Sequence, residues 1–363
     1  MAMKKKRVSE KLRYLFEGAS VKRALNTARS ILAGRFGAER PPPPWRLQIE
    51  VTNRCNLDCV FCSRHEHDLQ LGDLSPELFD RIVELSASVQ EVALFGYGEP
   101  LVSKAFFELL PRLKSSRITF FTNGMLFDGA MFHRVAELSG GRFAYVVFSI
   151  DGGTAETFER IRRRASFDTV WKNLREVAAA RDSLPRRVGI HMEFVAMRSN
   201  VRELPALLEM AEAAGVDVVK VSHLVVWDED LRDESLCYHR ELGDTAFAAA
   251  AKAAAGVRLR LELPKSFGEA QRGDPPCRMP WNYAMVSFEG DVRVCCFAPE
   301  LTMGSLKDNT FREIWHSDSY RALRRNMNEN RYPAPCGACE ERYRLAASPD
   351  EEQTYVKLKP RKK

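Results

Sequence analysis

From Trp45 to about residue 225, short runs rich in β-branched and aromatic residues alternate with longer stretches whose apolar positions recur every three to four residues. The first pattern predicts strands at 46–52, 91–95, 117–122, 144–150, 188–195 and 217–223; the second predicts helices at 75–86, 104–113, 130–138, 168–181 and 201–214. Strand and helix alternating six times imply parallel β-α units, because parallel neighbours need a crossover helix. The predicted fold class is α/β, a partial (β/α)6 TIM-like barrel, closed or open.

The flanks read differently. Val8, Leu12, Leu15, Phe16 and Ala19, then Val21, Leu25, Ala28 and Leu32, recur at helical spacing among basic residues. This is a basic amphipathic segment with two readings: a helix packed on its own protein, or one docked on an anionic membrane surface or acidic partner. Pro41 to Pro44 end any helix and favour an extended, semi-rigid spacer, so a domain boundary is placed there. Beyond Phe247 come an Ala-rich helix (248–255), a β-like run (257–263), two short strands (283–288, 292–296) and a helix (310–327), a small α+β unit. The expected division is 1–44, 45–265, 266–345 and a charged tail, 346–363.

Composition narrows the classes. The chain has 363 residues, 45% hydrophobic and 29% charged, and lacks the roughly 18 consecutive apolar residues of a membrane span. The formal charge of +6 is uneven: eleven Lys and Arg against three Glu put +8 in residues 1–40, leaving −2 for the rest. A nearly neutral body argues against nucleic acid as partner. Nine cysteines without a secretory signal point to the cytoplasm and to metal or redox chemistry rather than disulfides.

Cys55, Cys59 and Cys62 lie in one loop after the first strand. Three thiolates so spaced can hold three corners of an iron–sulfur cubane; zinc would need a fourth ligand, with His65 and His67 as local candidates. Gly98-Glu99-Pro100, Thr122-Asn123-Gly124 and Ser149-Ile150-Asp151-Gly152 follow the next three strands. Each is ordinary turn chemistry alone, but together they share the rim where barrel active sites sit. A second group, Cys277, Cys295, Cys336 and Cys339, follows the barrel. A hairpin turn at Gly290 brings Cys295 toward Cys277, and four thiolates also suit a zinc site. Cys296 is the alternative to Cys295, the two pointing to opposite faces of a strand. Cys237 reads as a small buried hydrophobe.

In its Cys-x3-Cys-x2-Cys spacing with Phe61 before the last cysteine, the chain resembles the radical S-adenosylmethionine (radical SAM) enzymes, over roughly residues 45–225. The resemblance implies that Cys55, Cys59 and Cys62 hold a 4Fe-4S cluster whose fourth iron chelates S-adenosylmethionine. It further implies that Gly98, Glu99 and Pro100 bind the methionine amino group, that Phe61 meets adenine, that Ser149 and Asp151 contact ribose and methionine, and that Arg162 pairs with the methionine carboxylate. Tyr97 stands where the family often has glycine. The second cysteine group resembles the SPASM domain in its shortened, twitch form, implying one auxiliary 4Fe-4S cluster on Cys277, Cys295, Cys336 and Cys339.

The chemistry so implied is reductive cleavage of S-adenosylmethionine to a 5′-deoxyadenosyl radical that abstracts hydrogen from a substrate carbon. The auxiliary cluster accepts the remaining electron, and reduced flavodoxin or ferredoxin supplies the first. Similarity of the single twitch-type cluster to that of 2-deoxy-scyllo-inosamine dehydrogenases tilts the expected substrate toward a small polyol, sugar or lipid-linked carbohydrate. A peptide or protein maturase is the alternative, and a non-catalytic zinc protein that docks a partner or membrane is the rival of another class. His191, Glu193, His223 and Arg260 are candidate general bases at strand positions, none assigned.

Overall fold

A computed structural model describes residues 18–65, 70–226, 228–264, 267, 277–298, 300–333 and 336. Ten strands among them form a single sheet: β1 (Arg46–Ile49), β2 (Glu91–Leu94), β3 (Arg117–Thr122), β4 (Phe143–Ser149), β5 (Gly189–Ala196), β6 (Val218–His223), β7 (Arg260–Glu262), β8 (Tyr283–Val286), β9 (Asp291–Arg293) and β10 (Thr302–Ser305). Their order is β10-β9-β8-β1-β2-β3-β4-β5-β6-β7. Every pairing from β8 to β7 is parallel, and the β8–β9–β10 meander is antiparallel. With β10 and β7 as edges, the barrel is partial and the sheet open. The C-terminal strands join this sheet through β8, which covers the edge β1 would otherwise expose.

The crossover helices are α2 (Phe79–Ser86), α3 (Lys104–Leu109), α4 (Gly129–Leu138), α5 (Ala155–Ile161), α6 (Phe167–Arg181), α7 (Leu204–Ala213) and α8 (Arg240–Ala253); α1 (Val21–Phe36) precedes the sheet and the short α9 (Met279–Asn282) leads into β8. Side-chain caps set their starts: Ser103, Asp128, Thr154 and Ser166 each accept an N–H of the first turn. The outward residues of the strands form the main core. Phe120 meets Phe106, Phe127 and Phe143, ring centroids 5.0–5.7 Å apart, each ring contributing roughly 1.5–3 kcal/mol by leaving water.

Several expectations are corrected. The Ala-rich helix starts earlier, at Arg240. The expected helix at 310–327 is two, α10 (Phe311–Trp315) and α11 (Asp318–Asn328), because the Ser317 hydroxyl caps the second. The strand expected to reach Cys296 stops at Arg293, which removes the opposite-faces argument for Cys295 and Cys296. The proline run is packed: Trp315 Nε1 donates to Pro42 O at 3.0 Å and Asn26 Nδ2 to Pro43 O at 3.2 Å. The predicted helical positions before Gly18 and the charged tail lie outside the described residues.

Candidate active site

The loop after β1 is strapped at both ends. Thr52 and Asn53 tie its start to Gln70 and Gly72 through four hydrogen bonds of 2.8–3.3 Å. Further on, Asp58 N–H donates to Arg163 O and Val60 N–H to Ile161 O at the end of α5. Cys55, Cys59 and Cys62 stand half-buried along this strap. Burial pushes the Cys59 thiol up to about 12 and raises Cys55, so these thiols stay protonated until a metal replaces their protons. Donors face the sulfurs: Leu57 N–H at 3.4 Å and Asn123 Nδ2 at 3.9 Å from Cys55 Sγ, and Arg162 Nη1 at 3.9 Å from Cys59 Sγ. An all-thiol set ringed by donors fits an iron–sulfur cluster in its chemistry. Among the described residues, no three His, Cys, Asp or Glu side chains converge as a single bound ion requires. His67 lies outside the described residues.

Gly98 and Glu99 rest on this loop's backbone. A Cβ on Gly98 would stand 2.4 Å from Thr52 O and 2.5 Å from Arg54 O, and Glu99 N–H donates to Arg54 O at 2.9 Å. Tyr97, where the family often has glycine, is held by its N–H to Glu50 Oε1 at 2.8 Å. Pro100 opens a 3-10 turn, Pro100–Val102. The Glu99 carboxylate is buried and accepts from Asn123 N–H at 2.7 Å, Thr122 Oγ1 at 3.0 Å and Leu101 N–H at 3.4 Å. Burial outweighs these donors and lifts it to about 7, so a nearby cation would favour its ionised form.

Ser149 ends β4, half-buried, and Asp151 is wholly buried two residues on. Asp151 accepts Val195 N–H at 2.7 Å and forms an ion pair with Arg162 Nη2 at 2.7 Å. Its neighbours Arg163 and Arg164 are exposed, so the structure singles out Arg162 among the three arginines. The Arg162 guanidinium carbon lies 5.6 Å above the Phe61 ring, joining Phe61, Cys59 and Asp151 in one cluster.

Sequence reasoning named His191, Glu193 and Arg260 on the barrel's inner wall as candidate bases and missed Arg46, Tyr145 and Lys220. Residues of β1 and of β3 to β7 line a cavity of about 670 Å³ bordered by Arg46, Tyr145, His191, Glu193, Lys220 and Arg260. Two of these side chains converge with Arg117 on buried Glu91, which receives Arg46 Nε at 3.0 Å, Arg117 Nε at 3.3 Å and the Tyr145 hydroxyl at 3.2 Å. Toward the rim, register aligns Ser149, Glu193, Lys220 and Glu262 across β4 to β7. Lys220 Nζ contacts the Glu193 carboxylate at 3.1 and 3.3 Å, and Ser222 also donates to it. The available signal was a polar residue at every second strand position, as in His191-x-Glu193 and Lys220-x-Ser222, where a parallel strand buried on both faces reads continuously apolar. His223 turns the other way, against Phe247 and Phe267.

At the second group, Cys295 and Cys296 pack in one apolar cluster with Tyr283, Met285 and Ala298. Tyr283 hydrogen-bonds Cys296, whose thiol burial raises. Cys277 and Cys336 are half-buried, Cys237 is buried, and Cys339 lies outside the described residues.

Two family models match the chain: the radical SAM superfamily over residues 49–204 and an iron–sulfur cluster-binding domain, SPASM, over 277–340. The chain is 26% identical to the PqqA peptide cyclase of Gluconobacter oxydans, over 84% of this chain and 85% of the relative. It is 27% identical to the mycofactocin maturase MftC of Mycobacterium tuberculosis, over 82% and 75%. The fold is similar to Streptococcus suis SuiB bound to S-adenosylmethionine, with a TM-score of 0.64 at 16% identity, covering 83% of this chain and 72% of that one.

Proposed function

The chain belongs to the radical SAM superfamily and carries a C-terminal SPASM iron–sulfur domain, and from that premise we propose that it is a peptide maturase that abstracts hydrogen from a residue of a substrate peptide. Its cofactors are S-adenosylmethionine and 4Fe-4S clusters, the auxiliary one included. The observation that carries the substrate reading is near-full-length similarity to a peptide cyclase and a maturase. It favours the maturase alternative over a small polyol or sugar.

Cys55, Cys59 and Cys62 would hold the cluster on the strapped loop; Cys277, Cys295, Cys336 and Cys339 would hold the auxiliary one. When bound, the first cluster supplies the electron that cleaves S-adenosylmethionine to methionine and the hydrogen-abstracting 5′-deoxyadenosyl radical. The chain's own residues orient and shelter that chemistry. Glu99, fixed by three donors, would accept the methionine ammonium, whose charge draws it into its ionised form. Arg162, held by Asp151, would meet the methionine carboxylate, Phe61 would cover adenine, and Ser149 would reach the ribose. The substrate would enter the cavity past Glu193, Lys220 and Ser222, with Phe121 and Val147 excluding water. A reduced flavodoxin or ferredoxin in the cytoplasm would be the electron source. The division at 45–265 and 266–345 is supported by the two matched segments lying inside those bounds.

The test is anaerobic. Reconstituted wild type should be brown, carry about eight irons per chain if both sites hold cubanes, and form 5′-deoxyadenosine with reductant. Cys59→Ala should lose about half the iron and all turnover. Incubated with deuterated peptide and small-molecule fractions of a cell extract separately, the enzyme should take label into 5′-deoxyadenosine from the peptide fraction. Label from the small-molecule fraction alone would reinstate the polyol reading.

A further inference from the structure

Helix α1 is mounted with its polar side inward. Its buried residues are Thr27, Ser30 and Gly34. Arg23 reaches Ala87 O at 3.2 Å and Ser116 Oγ at 3.1 Å, and Ser30 Oγ donates to Trp281 O at 2.9 Å. A Cβ on Gly34 would already press Asn282 and Trp281 at 3.2–3.3 Å. The outward face is apolar: Val21 is 79% exposed, Leu25 59%, Leu32 50% and Phe36 78%. At about 100° per residue these four fall within about 60° of one another, directly opposite the buried trio. They are four of the seven exposed large hydrophobic residues among the described residues, so the stripe is not the ordinary scatter of a soluble surface.

The stripe has basic borders. Lys22 and Arg29 run along one side and Arg35 along the other, all exposed, and Lys4, Lys5, Lys6, Arg7, Lys11 and Arg13 precede the helix in sequence. An apolar stripe bordered by cations matches the headgroup and acyl boundary of an anionic bilayer, where aliphatic and aromatic groups sink in and Lys and Arg meet lipid phosphates. We infer that α1 docks this enzyme peripherally on an anionic lipid surface, using Val21, Leu25, Leu32 and Phe36 as the inserted face. The Arg23 anchors, Ala87 and Ser116, lie just before β2 and β3, so α1 sits at the N-terminal end of the strands. Docking therefore leaves the cysteine rim at the opposite end facing the aqueous side, accessible to substrate and electron donor.

The test floats full-length reconstituted protein with phosphatidylcholine vesicles containing or lacking phosphatidylserine. Wild type should float with the anionic vesicles only and be released by high salt. Leu25→Ser with Phe36→Ser should weaken binding by about tenfold per side chain, with iron content and 5′-deoxyadenosine formation unchanged. Lys22→Glu with Arg29→Glu should abolish the preference for anionic vesicles. Three results would overturn the inference: no flotation of wild type with either vesicle, undiminished flotation of the Ser variant, or light scattering showing a wild-type dimer that the Ser variant splits. The last would make a second copy of the chain the occupant.

Discussion

His191 stacks on Tyr145 with ring centroids 4.5 Å apart inside the barrel, and burial lowers its pKa to about 4. The unfolded chain protonates this histidine near its ordinary 6.5 and the folded one does not. Its contribution to stability is therefore whole above pH 6.5 and is lost as pH falls toward 4, by up to about 3 kcal/mol. Urea midpoints at pH 7 and pH 4.5 should fall further apart in wild type than in His191→Gln; equal spacing would show that the ring titrates as in water. At this scale the alternating pattern made His191 visible as a strand position but not as a lumen residue, because facing depends on which side the helices cover. Asn123, bonded to Asn56 at 2.8 Å and facing Cys55, was legible only as part of a turn. Two loops 67 residues apart had to be brought together before its amide met the cysteines.

Between elements, contact is set by backbone as much as by side chain. The segment carrying Glu99 lies on the cysteine loop with no room at Gly98 for a methyl group. Gly98→Ala should push the two loops apart, costing about 1–3 kcal/mol of stability and reducing iron uptake at the first site with the auxiliary site unaffected. Thermal melts together with iron counts per chain check this, and wild-type loading in the Ala variant would mean that the loops relax without harm. Helices and strands of the barrel followed from periodicity because each buries one face against a neighbour of known type. The split between α10 and α11 escaped because Ser317 caps the second helix within an otherwise continuous helical pattern.

Across the whole molecule, the N- and C-terminal parts meet at Trp281, which is fully buried. Its indole donates to Ala38 O at 2.7 Å and its carbonyl accepts Ser30 Oγ of α1. Trp281→Ala should cost about 3–5 kcal/mol and free α1, seen as faster tryptic cleavage at Arg29 and Arg35. Unchanged cleavage would mean that Arg23 and Asn26 hold the helix without the indole.

By itself, the sequence determined the cysteine loop, the rim motifs and the parallel α/β architecture. Those depend on local spacing and on the face each element must bury, both written in consecutive residues. Tertiary structure alone decided that the C-terminal strands extend the barrel sheet through β8, that Lys220 meets Glu193 across β5 and β6, and that α1 hides its polar side. Each is a choice between faces or partners that chain neighbours leave open, and it is settled by packing against residues tens to hundreds of positions away.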